Sequence, residues 1–405
     1  MFSKTIKKIL KHIKSLHKIN GQWKAYLVRK RYMETLCRYR GKSIDISFKQ
    51  LLENRVGDRL KHLGCLDRPF NIFFLGTDEQ QDRSGLLQSL GRLGDLNYFT
   101  RVDGSYGQND PALYTVRREA NTRRLWDVVV QLSQEGRLPD LLLSQTWGSL
   151  IYPEILSRIR DKFGTFVINI SMDDRHQYWG RKVNGNWDGV YPLIPHIDLA
   201  LTAAPECVDW YLKEGCPAVF FPEASDPAIF HPIPELPKIH DVCFVGRRYG
   251  IREKIVLALR RASIRVTAYG DNWEKGRIAT EDVPRLFAQS KIILGMGTIG
   301  HCHDFYALKM RDFDGPMSGS CYLTHDNNDL HKLYDVGKEI ITYHTIDDCV
   351  DMARYYLRQD VEREAIAKSG YLRAAKEHTW DKRFDSLVAL LTEDCVKNFN
   401  GTKQS

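Results

Sequence analysis

Short apolar runs alternate with helical stretches along most of this sequence, starting near Phe70, and the alternation occurs twice. The pattern predicts parallel sheets flanked by helices, because a crossover between two parallel strands usually contains a helix. The apolar runs lie at residues 71–75, 97–100, 141–144, 165–170, 199–202 and 218–221, and then at 241–245, 264–268, 291–294, 321–324 and 339–343. The sequence therefore predicts an α/β protein with two doubly wound, Rossmann-like domains.

A proline-rich connection separates the two series. Its prolines fix φ and lack an N–H donor, which disfavours a helix or a central strand there; they are Pro222, Pro227, Pro232, Pro234 and Pro237. We expect a helical N-terminal segment at 1–66, a Rossmann-like domain at 67–224 and a linker at 225–237. A second Rossmann-like domain follows at 238–378, and a C-terminal helix at 379–398 is expected to cross back to the first domain.

Positive charge is concentrated at the start of the chain. Residues 1–42 contain 13 Lys or Arg and one acid, Glu34, although the net charge of the whole chain is only +8. Apolar residues recur at helical spacing from Phe2 to Leu16 and lysines fill the positions between them, which predicts a basic amphipathic helix. Such a helix can lie on an anionic membrane surface, or it can dock on the protein's own surface with its lysines in water.

Several classes of protein are disfavoured by composition. No run approaches the roughly 18 apolar residues of a spanning helix, and no secretory signal opens the sequence. The nine scattered cysteines include no CxxC pair, as expected of reduced thiols. We expect a cytoplasmic protein, held at the inner membrane face if residues 1–42 bind there. No nucleic-acid partner is expected, because the chain after residue 42 is net acidic.

Two segments of the second domain suit a phosphorylated ligand. The run at 241–245 is followed by Gly246, Arg247 and Arg252. The glycine would let a phosphate come close to the backbone, and the guanidinium groups would bind it. Alternatively, the arginines are ordinary surface residues. Further on, Lys309 and Arg311 precede Asp314, so that cations for a diphosphate stand near a carboxylate for a ribose diol. A salt-bridged helix end is the alternative for this segment.

Three stretches resemble a known family: residues 243–247, residues 280–294 and, most specifically, residues 309–324. They are similar to the GT-B-fold glycosyltransferases, especially the CgeB-like or spore-maturation-like family. The resemblance covers the second domain and, more loosely, the first from Phe70. Two positions depart from the family pattern, because Asp314 stands where many relatives have a glutamate, and Tyr306 where some have another.

The resemblance implies two Rossmann-like domains that face each other across a cleft, an N-terminal acceptor domain and a C-terminal donor domain. The donor is a nucleoside diphosphate sugar, possibly UDP-linked, and no further cofactor or metal is implied. By this resemblance, Lys309 and Arg311 bind the diphosphate of the donor, and Asp314, beside Gly315, binds its ribose. Its base lies against the loop 276–280, which contains Ile278, with Tyr269 nearby.

Candidates for catalysis come from the first domain. Asp173 and Asp174 follow a strand end, where one of them could take the acceptor proton; equally, the pair could cap the following turn. The run from His301 to Asp304 contains potential metal ligands, but no metal-binding frame surrounds it and we expect no metal.

The predicted function is transfer of a sugar, of hexosyltransferase type, to an acceptor hydroxyl in glycan or cell-envelope glycoconjugate synthesis. The acceptor is expected to be a glycan, a lipid-linked molecule or a protein. Two alternatives stay open: a nucleotide-sugar epimerase of the same fold, and a membrane-recruited binding module without turnover.

Overall fold

The computed structural model describes residues 2–64 and 66–392, which form two compact units. We name each unit after its main sheet. The six-stranded unit contains Tyr39–Phe230 and the chain from Ala374 onward, and the five-stranded unit contains the chain up to Arg38 together with His231–Arg373.

The elements of both units are numbered in chain order. The helices are α1 (Phe2–Tyr39), α2 (Phe48–Gly64), α3 (Glu79–Asp82), α4 (Leu86–Leu93), α5 (Tyr114–Gln134), α6 (Glu154–Phe163), α7 (Asp174–Gln177), α8 (Pro205–Lys213), α9 (Gly250–Arg261), α10 (Val283–Ala288), α11 (Arg311–Met317), α12 (Ile346–Tyr356), α13 (Asp360–Glu377) and α14 (Trp380–Leu391). The strands are β1 (Phe70–Leu75), β2 (Gly94–Tyr98), β3 (Leu141–Ser144), β4 (Phe166–Ser171), β5 (Lys182–Val183), β6 (Asn186–Trp187), β7 (Leu199–Thr202), β8 (Ala218–Phe220), β9 (His240–Val245), β10 (Val266–Tyr269), β11 (Ser290–Leu294), β12 (Cys321–His325) and β13 (Ile341–Tyr343). Short 3-10 turns lie at Tyr191–His196, Thr280–Asp282 and Leu330–Lys332.

The sheet of the six-stranded unit is parallel throughout, in the order β2-β1-β3-β4-β7-β8. Its central strands β3, β4 and β7 are buried along their whole length, which explains why most of their residues are apolar and why they lack a regular alternation with charged residues. On one face, α14 packs against α2 and α4 and buries Trp380, Phe384 and Leu387. Thr379 caps α14 by accepting a hydrogen bond of 3.1 Å from the amide of Lys382.

The five-stranded sheet is also parallel, in the order β10-β9-β11-β12-β13. Its core joins β9, β11 and β12 to the inward faces of α9 and α12, through residues such as Phe244, Ile255 and Leu294. Strand order reverses between β9 and β11, where the loops that follow these strands diverge. In doubly wound sheets this switch point is the usual place for a ligand. The chain therefore has two Rossmann-like parallel-sheet domains, as the sequence predicts.

The N-terminal segment does not form one unit. The part of α1 up to Arg38 belongs to the five-stranded unit, whereas α2 buries Leu52, Val56 and Leu63 in the core of the six-stranded unit. Apolar spacing in the sequence shows which face of a helix is buried, but it does not show against what. The division between the units falls after Phe230, and the predicted helix at 379–398 is helical to Leu391; residues 393–398 lie outside the described residues.

None of the helices in the described residues has the length and hydropathy of a bilayer-spanning segment. The cysteines at the seven described positions are free thiols, and Cys37 is the exposed one among them.

Candidate functional site

Two arginines converge at the carboxyl end of β9, beside the switch point of the five-stranded sheet. A β-carbon built on Gly246, the first residue after β9, would lie 3.4 Å from Nη1 of Arg311 and 3.5 Å from Nη1 of Arg252. Gly246 has a φ of 155°, which side-chain-bearing residues rarely adopt. Such a β-carbon would also lie 3.0 Å from Cζ of Phe244, so glycine leaves free a space bordered by that ring and by both guanidinium groups.

Arg311 is the first residue of α11, and its side chain is held by residues of β9. Its Nη1 donates to the carbonyl of Val245 at 2.9 Å, and its guanidinium carbon lies 5.3 Å from the centre of the Phe244 ring. Its Nε is buried and has no hydrogen-bond partner. The strand end thus sets the position of this cation while leaving part of its donor capacity unused.

Arg252 lies in the first turn of α9 and is only 8% exposed. Its guanidinium carbon stands 4.6 Å from the centre of the Tyr249 ring, and its buried Nε has no hydrogen-bond partner. Burial, together with the neighbouring charge of Arg311, lowers the pKa of Arg252 to about 10. The side chain is therefore still charged at neutral pH.

The described residues provide no carboxylate partner for either Arg252 or Arg311. A buried cation without a counter-ion is costly, and two such cations close together repel each other as well. The first turn of α9 adds the positive end of a helix dipole to the same place. The arrangement favours an anion, and a diphosphate carries enough charge to match two guanidinium groups.

The side chain of His325, at the carboxyl end of β12, also lies near this site. Its ring packs 4.5 Å from the ring of Tyr343 and 5.2 Å from the ring of Tyr306. Burial and the charge of Arg252 lower the pKa of His325 to about 4, so the imidazole is neutral at pH 7. The sequence prediction missed His325, although its place directly after a predicted strand was the available signal.

The Lys309–Gly315 segment is held by an aspartate that the prediction did not single out. Asp312 is buried, and its carboxylate accepts hydrogen bonds from the Tyr322 hydroxyl at 2.6 Å and the Lys309 amide at 2.7 Å. Lys309 is half-buried and Asp314 is buried on α11. These contacts fix the start of α11 and with it the base of the Arg311 side chain.

Gly315 is explained by packing. A β-carbon there would lie 2.5 Å from Cδ2 of Tyr322, well inside van der Waals contact. The close approach of α11 to β12 therefore accounts for a glycine at this position.

The remaining predicted donor residues lie on exposed loops. Arg247 is largely exposed and pairs with Asp271 at 2.9 Å, and Arg277 pairs with the same carboxylate. Arg277 and then Arg247 lower the pKa of Asp271 to about 2. Arg247 is thus engaged in an ion pair and does not join the pair formed by Arg252 and Arg311.

The aromatic residues near the predicted base pocket differ in exposure. Tyr269 and Ile278 are half-buried, with the ammonium of Lys275 lying 5.3 Å from the Tyr269 ring. Trp273 is buried, and its Nε1 donates to the carbonyl of Gly246 at 2.8 Å. Trp273 therefore supports the loop that follows β9 from inside, and Tyr269 and Ile278 are the ones with surface to offer a base.

The run from His301 to Asp304 docks on α1. Asp304 pairs with Arg29, and the Cys302 thiol donates to the carbonyl of Ala25 at 3.7 Å. In the described part of the chain, no three His, Cys, Asp or Glu side chains are grouped as metal ligands.

Asp173 and Asp174 lie after β4 in the six-stranded unit, in different environments. Asp174 is 0% exposed; its Oδ2 accepts a hydrogen bond of 3.2 Å from the Tyr211 hydroxyl, and burial raises its pKa to about 7. Asp173 is half-buried, and its carbonyl accepts the amides of His176 and Gln177 in the turn of α7. A carboxylate with no exposed surface cannot reach an acceptor, so the structure argues against Asp174 and leaves Asp173 as the candidate base.

A buried polar network that sequence reasoning missed follows β1 in the same unit. Asp82 is fully buried and accepts hydrogen bonds from the Thr77 amide at 3.0 Å and the Tyr106 hydroxyl at 2.9 Å. Burial raises the pKa of Asp82 to about 6. Nearby, Nε2 of Gln108 donates to the carbonyls of Leu75 and Gly76. This network shapes the loops at the carboxyl ends of the strands.

Two parallel doubly wound sheets in succession define the GT-B fold, and the family comparison agrees with that class. Residues 247–389 match a family model described as glycosyl transferase-like. This stretch includes the Arg252 and Arg311 pair. No curated protein sequence matches the chain.

Individual solved structures share the fold at low sequence identity. Sucrose-phosphate synthase from Thermosynechococcus elongatus superposes with a TM-score of 0.55 at 11% identity, covering 83% of this chain and 100% of the other. Anabaena Alr3699/HepE in complex with UDP and glucose superposes with a TM-score of 0.51 at 10% identity, covering 82% of this chain and 100% of the other. At these identities the likeness shows the fold alone.

Proposed function

We propose that this protein transfers a sugar from a nucleoside diphosphate donor to an acceptor hydroxyl. The observation that carries the proposal is a pair of cations, the buried Arg252 and the half-buried Arg311, which have no carboxylate partner in the described residues and converge beside Gly246. The glycosyl transferase-like stretch that contains them supports the same reaction class.

The two arginines would act on the leaving group. When the bond between the sugar and the diphosphate breaks, negative charge grows on the departing phosphate oxygen. Cations already held in place stabilise that charge without reorganising, which lowers the barrier. Arg252 and Arg311 supply the positive charge that a divalent ion provides elsewhere, so we propose a metal-independent reaction.

The other donor contacts follow the same segment. We propose that Lys309 joins the diphosphate site, that Asp314 accepts the ribose hydroxyls, and that Tyr269 and Ile278 border the base. UDP is the proposed nucleotide and a hexose the proposed sugar, supported by the complex of Alr3699/HepE with UDP and glucose. Assignment to the CgeB-like branch rests on the resemblance of residues 309–324.

On the acceptor side we propose Asp173 as the base that takes the hydroxyl proton, because it follows a parallel strand and keeps exposed surface. The acceptor is proposed to be a glycan, a lipid-linked molecule or a protein in surface glycoconjugate synthesis, with residues 1–42 bringing the enzyme to a membrane surface.

Nucleotide binding tests the donor site. Nucleoside diphosphates should raise the melting temperature of the protein, with UDP the most effective, and Arg311→Gln should remove most of that rise. Arg265→Gln is the matched control, because Arg265 is an exposed arginine of the same unit that pairs with Asp241 at the amino end of β9. Equal UDP stabilisation of the two variants would refute the assignment of the site.

Incubation with the donor alone distinguishes transfer from epimerisation. Transfer requires an acceptor for UDP release beyond slow hydrolysis, whereas an isomerised nucleotide sugar formed without an acceptor would show an epimerase. Turnover that continues after chelation of divalent ions would support the metal-independent form.

A further inference from the structure

Helix α1 has one face docked on the five-stranded unit. Arg29 pairs with Asp304, and the Tyr32 ring lies 4.7 Å from the Phe305 ring. Together with the Cys302 thiol, which donates to a carbonyl of this helix, these contacts hold one side of the stretch 20–38 against the protein.

The opposite face of the same stretch carries apolar side chains in water. Trp23, Tyr26 and Met33 are 59%, 53% and 54% exposed, and Lys30 lies between them. Their spacings of three, four and three residues place them in one line along the helix, which Cys37 extends. We call Trp23, Tyr26, Lys30 and Met33 the outer stripe of α1.

Two of the four side chains of the outer stripe are aromatic. The Trp23 and Tyr26 rings stack with their centres 5.5 Å apart, so they form one contiguous aromatic cluster on the exposed face. A soluble helix normally exposes polar residues on the face turned away from its own protein. Tryptophan and tyrosine are the residues that favour the boundary between lipid headgroups and acyl chains.

The charge around the outer stripe is predominantly positive. Residues 1–42 contain 13 basic residues, and the single acid, Glu34, lies 3.9 Å from Lys30. Such a surface repels a second copy of itself and attracts an anionic one. At 1.5 Å per residue, the 38 residues of α1 extend about 57 Å, enough for many headgroup contacts.

We propose that the outer stripe of α1 lies in the headgroup region of an anionic bilayer, with the rings of Trp23 and Tyr26 inserted below the phosphates. This deepens the membrane association of the proposed function by naming the surface and the lipid charge. It can fail while sugar transfer stands, because the stripe is separate from Arg252 and Arg311 and the two are measured independently.

The docked face of α1 ties this surface to the donor site. A β-carbon on Gly21 would lie 3.2 Å from Nδ1 of His301, and the His301 ring lies 5.3 Å from the Tyr249 ring. The Tyr249 ring in turn lies 4.6 Å from the guanidinium carbon of Arg252. A bilayer that holds α1 therefore holds the five-stranded unit at its surface, next to any lipid-linked acceptor.

Vesicle sedimentation with the full chain tests the proposal. The protein should bind phosphatidylcholine vesicles that contain phosphatidylglycerol, and it should bind pure phosphatidylcholine at least about tenfold more weakly. Replacing Trp23, Tyr26 and Met33 together by serine should lower binding to the anionic vesicles by about tenfold or more.

The matched control replaces three exposed apolar residues elsewhere, Val102, Leu113 and Val361, by serine. It should bind vesicles like the wild type. Both triple variants should keep the wild-type melting temperature and UDP response, since the side chains are in water. If the stripe variant loses its fold, Lys24→Gln with Lys30→Gln replaces it and should lower binding to anionic vesicles alone.

Four outcomes of the vesicle and oligomer measurements would overturn the proposal, and a fifth concerns RNA. The four are no vesicle binding by the wild type, equal binding to both lipid mixtures, equal loss in the stripe and control variants, and dispersal of a dimer by the stripe variant. Binding to single-stranded RNA in place of vesicles, lost in the same variant, would assign the stripe to nucleic acid and equally overturn it.

Discussion

Replacing Arg252 by methionine should stabilise the folded protein and at the same time weaken its binding of UDP. Methionine keeps an unbranched stem on Tyr249 but removes the buried charge. The fall in the pKa of Arg252 from 12.5 to about 10, caused by burial and then by Arg311, corresponds to a cost of about 3 kcal/mol. The unfolded chain stays protonated above pH 10 where the folded one does not, so the cost is present in full at neutral pH and declines only above about pH 10.

Two opposite changes follow from that figure. If methionine recovers half of the cost, the melting temperature without nucleotide should rise by about 3–6 °C. A hydrogen bond to a charged group contributes about 1.5–3 kcal/mol, so UDP affinity should fall about 10- to 150-fold. Replacing an ordinary structural arginine would instead lower the melting temperature, because favourable contacts would be lost.

Thermal unfolding with and without UDP, together with calorimetric titration of UDP, measures both changes in one set of proteins. Arg265→Met is the control, and it should change neither quantity appreciably. A variant of Arg252 that is less stable without UDP, or one that binds UDP within about twofold of the wild type, would refute the view that the arginine pair is an anion site kept at the expense of stability.

Three further variants test other parts of the structure. Gly315→Ala should cost about 1–3 kcal/mol of unfolding free energy, because its new methyl group meets Tyr322, whereas Gly91→Ala, in open space on α4, should be neutral or stabilising in the same denaturant titration. Asp174→Asn should abolish a loss of stability that the wild type shows as the pH rises from about 4 to about 7, since the unfolded carboxyl ionises first; a pH series of melts that leaves the slope unchanged would contradict this. Gly246→Ala should lower the affinity for UDP and, because of the φ of 155° and the contact with Phe244, also lower the melting temperature; an unchanged affinity would show that the space beside the two guanidinium groups is not the phosphate site.

The sheets could be predicted closely because their strands are buried on both faces. The runs at 141–144 and 199–202 coincide with β3 and β7, since a strand covered on both sides is apolar along most of its length and does not alternate with polar residues. The strand predicted at 264–268 begins two residues later, at Val266, because Ile264 packs into the core from the preceding turn. Edge strands give weaker signals, since one side of their backbone has no partner.

The candidate site could be predicted only in part. The sequence separates Arg252 from Arg311 by 59 positions, and their convergence at Gly246 follows from the order of strands in the sheet. Likewise, adjacent Asp173 and Asp174 look equivalent in sequence, and the packing of α8 over α7 decides which of them is buried. The ion pair of Arg247 could not be predicted from the sequence either, because its partner Asp271 lies 24 residues away.

The order in which the chain is synthesised adds a consequence of the division into two units. The five-stranded unit takes its first helix from the start of the chain and closes only when α13 has been made, and the six-stranded unit needs α14 to cover α2 and α4. Neither core can therefore be completed early, although domains commonly fold one after another as they leave the ribosome. The nascent protein must keep α1 and the apolar faces of α2 and α4 from wrong partners until α13 and α14 have been made, which makes α1, α2 and α4 the expected binding sites for a chaperone.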